Sequence, residues 1–165
     1  MADQAEWRWV QRYAEQFRAC ELQPGECTVL LHEAASSPLI VETARMALEM
    51  LGAAVADVRM PTPANPGPLP IRSTGAAQSL AGHRAAVAAC ATADFVVDCT
   101  AEGLLHAPEL GQILDGGARV LMISAEHPEN AERWPHDPAL KDKVDRGVAL
   151  LSLSLIHISE PTRPY

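Results

Sequence analysis

The sequence lacks any run of about 20 apolar residues, the length that a transmembrane helix needs, and its start has neither the basic residues nor the apolar stretch of a signal peptide. It is also short of basic residues, with 13 Lys plus Arg against 21 Asp plus Glu and a formal net charge of -8. This balance argues against a nucleic acid or a membrane surface as the partner. We therefore expect a cytoplasmic protein whose partner is a small molecule.

The cysteines form no CxxC pair, and no histidine stands at the spacing of a zinc site. There are four of them, Cys20, Cys27, Cys90 and Cys99, mostly inside apolar or helical patterns. We interpret them as reduced thiols in the core.

Three sequence motifs of phosphate binding and hydrolysis are also absent. No GxGxxG follows a predicted strand and no GxxxxGK[ST] occurs, so the glycine-rich loops that bind dinucleotides and nucleotide phosphates are missing. No GxSxG nucleophile elbow is present either, and we interpret Ser36 and Ser37 as helix caps. The sequence gives no support to serine hydrolysis.

What is present is an alternation of strand and helix patterns. Four short runs predict strands: Cys27–Leu31, Ala54–Val58, Phe95–Cys99 and Arg119–Ile123. The first, CTVLL, is the pattern of a strand buried on both faces of a parallel sheet. Helices are predicted from Trp7 to Phe17, from Pro38 to Gly52, from Leu80 to Ala91, from Pro108 to Leu114 and from near Asp137. The segment Met60–Pro70, with five prolines, predicts a stiff surface loop. This order predicts an α/β fold with an open, mostly parallel sheet and helices on both faces, a Rossmann-like or flavodoxin-like three-layer arrangement that is truncated here.

In such sheets ligands bind beyond the carboxyl ends of the strands. Three segments meet that condition: His32 to Ala34, Asp98 to His106, and Ser124 to Glu126. We expect any site to be built from them.

His106 is the strongest catalytic candidate, because it follows a buried strand and precedes the start of a helix. A histidine in that position can act as a general base. The alternative is a histidine that caps or packs the helix. His83, His127 and His136 are weaker candidates. We expect no metal site here, because the adjacent His32 and Glu33 point apart and no three-ligand set is present.

One segment resembles a known family. LLHAPELGQIL (Leu104–Leu114), followed by Gly117–Leu121 and by Glu-His-Pro-Glu at Glu126–Glu129, is similar to the N-terminal domain of the 2,5-dihydroxypyridine 5,6-dioxygenase family. The resemblance extends from Glu15 to Leu150, and departs from the family in the proline-rich loop, which carries more prolines than expected.

The resemblance implies a non-haem Fe(II) enzyme whose iron ligands lie in a C-terminal domain, so no cofactor is expected in the fragment itself. It implies that His106 accepts a proton from a substrate hydroxyl and that Leu105 lines the ring pocket. The implied partners are an aromatic small molecule and O₂, and we expect a homo-oligomer when the protein is full length.

Two other functions remain open at this point. The same α/β domain opens the related aminopeptidase T type metallo-aminopeptidases, so similarity of fold does not fix the reaction. The domain is also compatible with binding of a small ligand or a subunit without catalysis. A site with two metals in the remainder of the protein would favour the peptidase, and a site with one iron the dioxygenase.

The end of the chain has a second resemblance. Leu153–Arg163 reads LSLIHISEPTR, which looks like the in-frame translation of a transposase-type sequencing adapter. The alternative is a native strand from Leu151 to Ile158. We therefore expect residues 1–151 to be the N-terminal α/β domain of a larger enzyme and residues 152–165 to be foreign sequence.

Deleting Leu153–Tyr165 is then expected to leave the free energy of unfolding within about 0.5 kcal/mol of that of the full chain, as for a neutral surface change. Urea unfolding of both chains measures the difference. A cooperative loss of structure on deletion would show that the tail belongs to the folded protein.

Overall fold

The structure, a computed structural model, describes residues 4–64, 78–124, 126–135 and 137–158. The chain divides into two compact units, Met1–Trp134 and Pro135–Tyr165. The first unit contains the sheet and five of the helices described. The second contains one helix, α6 (Leu140–Ile158).

The sheet of the first unit has four strands, all parallel. They are β1 (Cys27–Glu33), β2 (Ala54–Met60), β3 (Phe95–Asp98) and β4 (Arg119–Met122), and they lie in the order β2-β1-β3-β4. The sheet is open, and this confirms the predicted α/β class. In this order β2 lies on one side of β1, and β3 and β4 lie on the other. The direction in which successive strands are added to the sheet therefore reverses at β1.

Helices cover both faces of this sheet. They are α1 (Trp7–Ala19), α2 (Pro38–Met50), α3 (Arg84–Ala91), α4 (Leu110–Asp115) and the short α5 (Glu129–Arg133). Along the strands, alternate side chains enter two separate apolar clusters. Leu30 and Val97 pack with residues of α1 and α2, whereas Val29 and Val96 pack with residues of α3 and α4. The three-layer arrangement follows from this alternation.

Several boundaries differ from those predicted. Strand β1 runs two residues further, so that His32 and Glu33 belong to it instead of following it, and β2 extends to Met60. Helix α3 begins at Arg84 and not at Leu80, because Gly82 adopts a φ of +76° that no helix continues. The predictions missed α5, which has five residues and no buried side chain.

Further predictions concerned the proline-rich loop, the end of the chain and the cysteines. The proline-rich loop begins irregularly at Pro61–Ala64, and its remaining part, residues 65–70, lies outside the described residues. The alternative of a strand from Leu151 to Ile158 is wrong, because those residues continue helix α6. The foreign origin of residues 152–165 stays a prediction. Cys90 and Cys99 are buried as expected, but Cys27 is exposed at the start of β1.

Within the part of the chain that the structure describes, no helix combines the length and the apolar character of a membrane span.

The close approach of α3 and α4 depends on a glycine. Gly116 follows α4, and a Cβ atom on it would lie 2.2 Å from the carbonyl oxygen of Ala91, the last residue of α3. Its φ of -68° is ordinary, so the constraint is steric. Gly111, inside α4, has no atom within 4 Å of the corresponding position.

Gly116→Ala is therefore expected to lower the free energy of unfolding by about 1 to 3 kcal/mol, the usual cost of inserting a group into packed structure. Gly111→Ala, the matched control, is expected to raise it by up to about 1 kcal/mol, since alanine favours a helix over glycine. Urea unfolding of the two variants measures both effects. Equal stability of the two variants would contradict the steric argument.

Candidate functional site

The carboxyl ends of three neighbouring strands meet at one edge of the sheet. Leu31 of β1 pairs with Asp98 of β3, and Asp98 pairs with Met122 of β4. Glu33 at the end of β1 and Ser124 just after β4 therefore lie beside the loop that follows Asp98. This is the edge at which ligands bind in open parallel sheets.

Asp98 ends β3 with a fully buried side chain. Its Oδ1 accepts hydrogen bonds from the Thr100 backbone amide at 2.9 Å and from the Thr100 hydroxyl at 2.7 Å. Its Oδ2 accepts one from the Leu104 amide at 2.6 Å. The carboxylate thus holds both ends of the segment 100–104, and all three donors replace water that burial has removed.

Glu33 is the second buried carboxylate at this edge, with 1% of its surface exposed. Its Oε1 accepts a hydrogen bond from the Ala101 amide at 3.3 Å, and its Oε2 accepts one from the buried Ser79 hydroxyl at 3.0 Å. Burial raises the pKa of Asp98, and the charge of Glu33 adds to this rise, whereas the hydrogen bonds from Thr100 and Leu104 oppose it.

The candidate residues His106 and Leu105 lie on a turn, which we name the 104–107 turn. Leu104 and Ala107 are buried in the cluster beneath α3 and α4, and the Ala107 amide donates to the Leu104 carbonyl oxygen at 2.9 Å. Leu105 is 64% exposed, and His106 is exposed as well. The ends of the turn therefore point into the core while the two middle residues face outward.

The side chain of His106 makes no hydrogen bond or ion pair with the described residues. Helix α4 begins at Leu110 with Glu109 at its N-cap, and no side chain bonds to that cap. His106 does not cap the helix, and its exposure shows that it does not pack in the core. The His106 imidazole is therefore accessible from outside the protein.

The other predicted residues do not join this group. His32 faces Asp57 of β2, with Nε2 and Oδ1 2.9 Å apart, while Glu33 turns to the opposite side of the strand, as expected of neighbours. His127 stacks edge-on against Trp9, with ring centroids 5.0 Å apart, and accepts a hydrogen bond from the Glu129 amide. Ala125 and His136 lie outside the described residues.

His83 lies elsewhere, at the start of α3. It lines a groove of about 530 Å³ between α3 and α4, together with Arg84, Val87, Glu109 and Gln112. Leu105 and His106 are not among the residues that line this groove. The described residues contain no group of three His, Cys, Asp or Glu that could hold a metal ion.

Sequence reasoning named Asp98 and Glu33 only as members of candidate segments, Asp98 to His106 and His32 to Ala34, and rejected Glu33 as a metal ligand beside His32. The structure shows both carboxylates holding the loop that leads to His106. The available signal was an acidic residue at the end of a wholly apolar run, Phe95–Asp98, because a charge in that place needs donors from the next residues.

An open parallel sheet with its polar loops gathered at the carboxyl edge defines an α/β domain of the kind that binds small molecules and carries out chemistry on them. A family model of 2,5-dihydroxypyridine 5,6-dioxygenase matches residues 8–159. The chain belongs to this dioxygenase family, whose members are oxidoreductases.

A solved structure agrees with the family match. The chain is 30% identical to 2,5-dihydroxypyridine dioxygenase from Pseudomonas putida KT2440, with a TM-score of 0.62. The match covers 73% of this chain and 35% of that one, so the chain corresponds to about a third of the length of that structure. No curated protein matches the chain.

Close contact between two loops at this edge depends on Gly103. Its φ is +71°, and a Cβ atom on it would lie 2.7 Å from the Ser124 hydroxyl and 3.6 Å from Asp98 Oδ2. Ser124 itself has a φ of +22°, so both loops have unusual backbone angles where they meet. Gly25 has a φ of +84° with no atom within 4 Å of such a Cβ. An alanine at Gly25 therefore shows the cost of the left-handed backbone without any steric contact.

Gly103→Ala is expected to destabilise the fold by more than Gly25→Ala, which costs about 1 to 2 kcal/mol for the left-handed backbone alone. The further loss, of about 1 kcal/mol, arises from the Ser124 hydroxyl. Adding Ser124→Ala should recover it, because the contacting oxygen is then absent. Urea unfolding of the single and double variants measures the coupling, and purely additive effects would disprove the contact.

Proposed function

We propose that this chain is the N-terminal part of a ring-cleaving dioxygenase that acts on a dihydroxylated N-heterocycle such as 2,5-dihydroxypyridine. The family match and the Pseudomonas putida structure support the reaction class. The observation that carries the residue assignment is the 104–107 turn, which presents Leu105 and His106 outward at the edge where ligands bind.

In this proposal His106 is the general base. Its exposed imidazole, which has no partner among the described residues, accepts a proton from a ring hydroxyl of the substrate. Leu105 contacts the face of the ring, since its side chain is the apolar surface next to the imidazole. The buried side chains of Leu104 and Ala107 hold the turn, so the base approaches the substrate with little reorganisation.

The dioxygenase family implies a metal cofactor, and the described residues do not fit one. No group of three possible ligands is present among them, and the two buried carboxylates already accept hydrogen bonds from the loop. We propose that Fe(II) is bound by residues outside this chain. The full-length protein would be a cytoplasmic homo-oligomer that takes O₂ as its second substrate.

The test needs a protein with the whole length of the family, and a fusion of residues 1–151 of this chain to the remaining part of the Pseudomonas putida enzyme supplies it. In this fusion enzyme His106→Ala is expected to lower kcat for 2,5-dihydroxypyridine by about 10²- to 10⁴-fold, the range for loss of a general base. Stability should change by less than about 0.5 kcal/mol, because the side chain is exposed. Bound iron should not change.

His83→Ala is the matched control, since His83 is a partly exposed histidine of the same unit that lies in the groove beside α3. It is expected to keep kcat near the unsubstituted value. Melting temperature, iron content and kcat are measured on one preparation of each variant. A well-folded, iron-loaded His106→Ala enzyme with normal kcat would remove His106 from the mechanism.

A further inference from the structure

Asp98 links the sheet directly to the 104–107 turn by a hydrogen bond. The Leu104 amide that binds Oδ2 belongs to the first residue of the turn, directly before Leu105 and His106. The other oxygen of the same carboxylate binds Thr100, where the loop leaves the strand. One rigid, fully buried side chain at the end of β3 therefore determines where the turn begins.

We propose that Asp98 is a positioning residue for His106, which fixes the 104–107 turn at the carboxyl edge of the sheet through its two carboxylate oxygens. Glu33 supports the same loop one step earlier by accepting the Ala101 amide. The catalytic meaning of this inference rests on the proposed function of His106. The claim that Asp98 fixes the 104–107 turn does not rest on it, and this claim is tested separately.

The arrangement requires a carboxylate and not merely a polar side chain. Oδ1 and Oδ2 each face at least one backbone amide, and an amide N–H only donates. An asparagine has the same shape but only one oxygen, so in either orientation its NH₂ group meets a backbone N–H. Asp98→Asn therefore breaks one of the two links without leaving a cavity.

A matched control lies at the other end of the same strand. Asp94 precedes β3, and its Oδ2 accepts a hydrogen bond from the Cys27 amide at 2.8 Å. Because this is the one hydrogen bond described for the Asp94 side chain, the side-chain oxygen of an asparagine satisfies it equally well. Asp94→Asn makes the same chemical change on an exposed residue that is remote from the turn.

The first experiment measures amide hydrogen exchange by NMR in this 165-residue chain. Asp98→Asn is expected to accelerate exchange by about 10- to 100-fold at Thr100 or at Leu104, whichever amide then faces the NH₂ group, the factor for losing a hydrogen bond to a charged group. Exchange in the centre of β1 should stay as in the unsubstituted chain. Asp94→Asn should leave the exchange of Thr100 and Leu104 unchanged.

The second experiment measures turnover in the fusion enzyme. Asp98→Asn is expected to lower kcat by about 10- to 100-fold, because a base displaced by about an ångström loses that much rate. Gly116→Ala destabilises the unit through its contact with Ala91 and should leave kcat per folded molecule unchanged. This comparison separates positioning from a general loss of stability.

The outcomes distinguish the two proposals. Unchanged exchange at both Thr100 and Leu104 in a folded Asp98→Asn chain would overturn the positioning role. Accelerated exchange together with a normal kcat for His106→Ala would leave Asp98 as the anchor of the turn and reject the proposed role of His106 as the base. If Asp98→Asn does not fold, amide exchange is measured in the unsubstituted chain instead. The inference then requires that the Leu104 amide exchange as slowly as the amides of β3. Exchange of Leu104 at the rate of an exposed loop overturns it.

Discussion

One buried carboxylate at the end of the central strand β3 needs hydrogen-bond donors, and the loop that follows the strand depends on this need. Asp98 has no exposed surface, so its oxygens need donors from the protein, and the next six residues provide them. The loop must turn back at once, which places Leu104 in the core and brings Gly103 against Ser124. Together with the burial of Leu104 and Ala107, this leaves His106 on the outward side of the turn.

The centre of the fold was predictable because its two central strands, β1 and β3, are short apolar runs that are buried on both faces. All four strands were placed correctly in their central residues, and the alternation with helices determined the parallel class. The ends were predicted less well wherever polar residues continue an element. His32 and Glu33 looked like loop residues, yet pairing with β2 extends β1 through both of them. Local pattern cannot show such pairing, since it depends on a neighbouring strand.

The site was only partly accessible to sequence reasoning. The rule on carboxyl ends selected one edge of the sheet, and resemblance to the family singled out Leu105 and His106 in the loop that follows β3 there. Glu33 and Asp98 belong together only through the register that aligns β1 with β3, a relation between residues about 65 positions apart in the sequence. Ser79 joins the same group from a third segment, and no spacing in the sequence indicates this.

The 104–107 turn separates buried side chains from exposed ones. Leu104 and Ala107 face the core and determine whether the turn forms, whereas Leu105 and His106 face outward and hardly contribute to folding. Substitutions at Leu105 are therefore nearly neutral for stability. Under the proposed function, a change at Leu105 could therefore alter the shape of the ring that fits while the residues beneath it keep the fold.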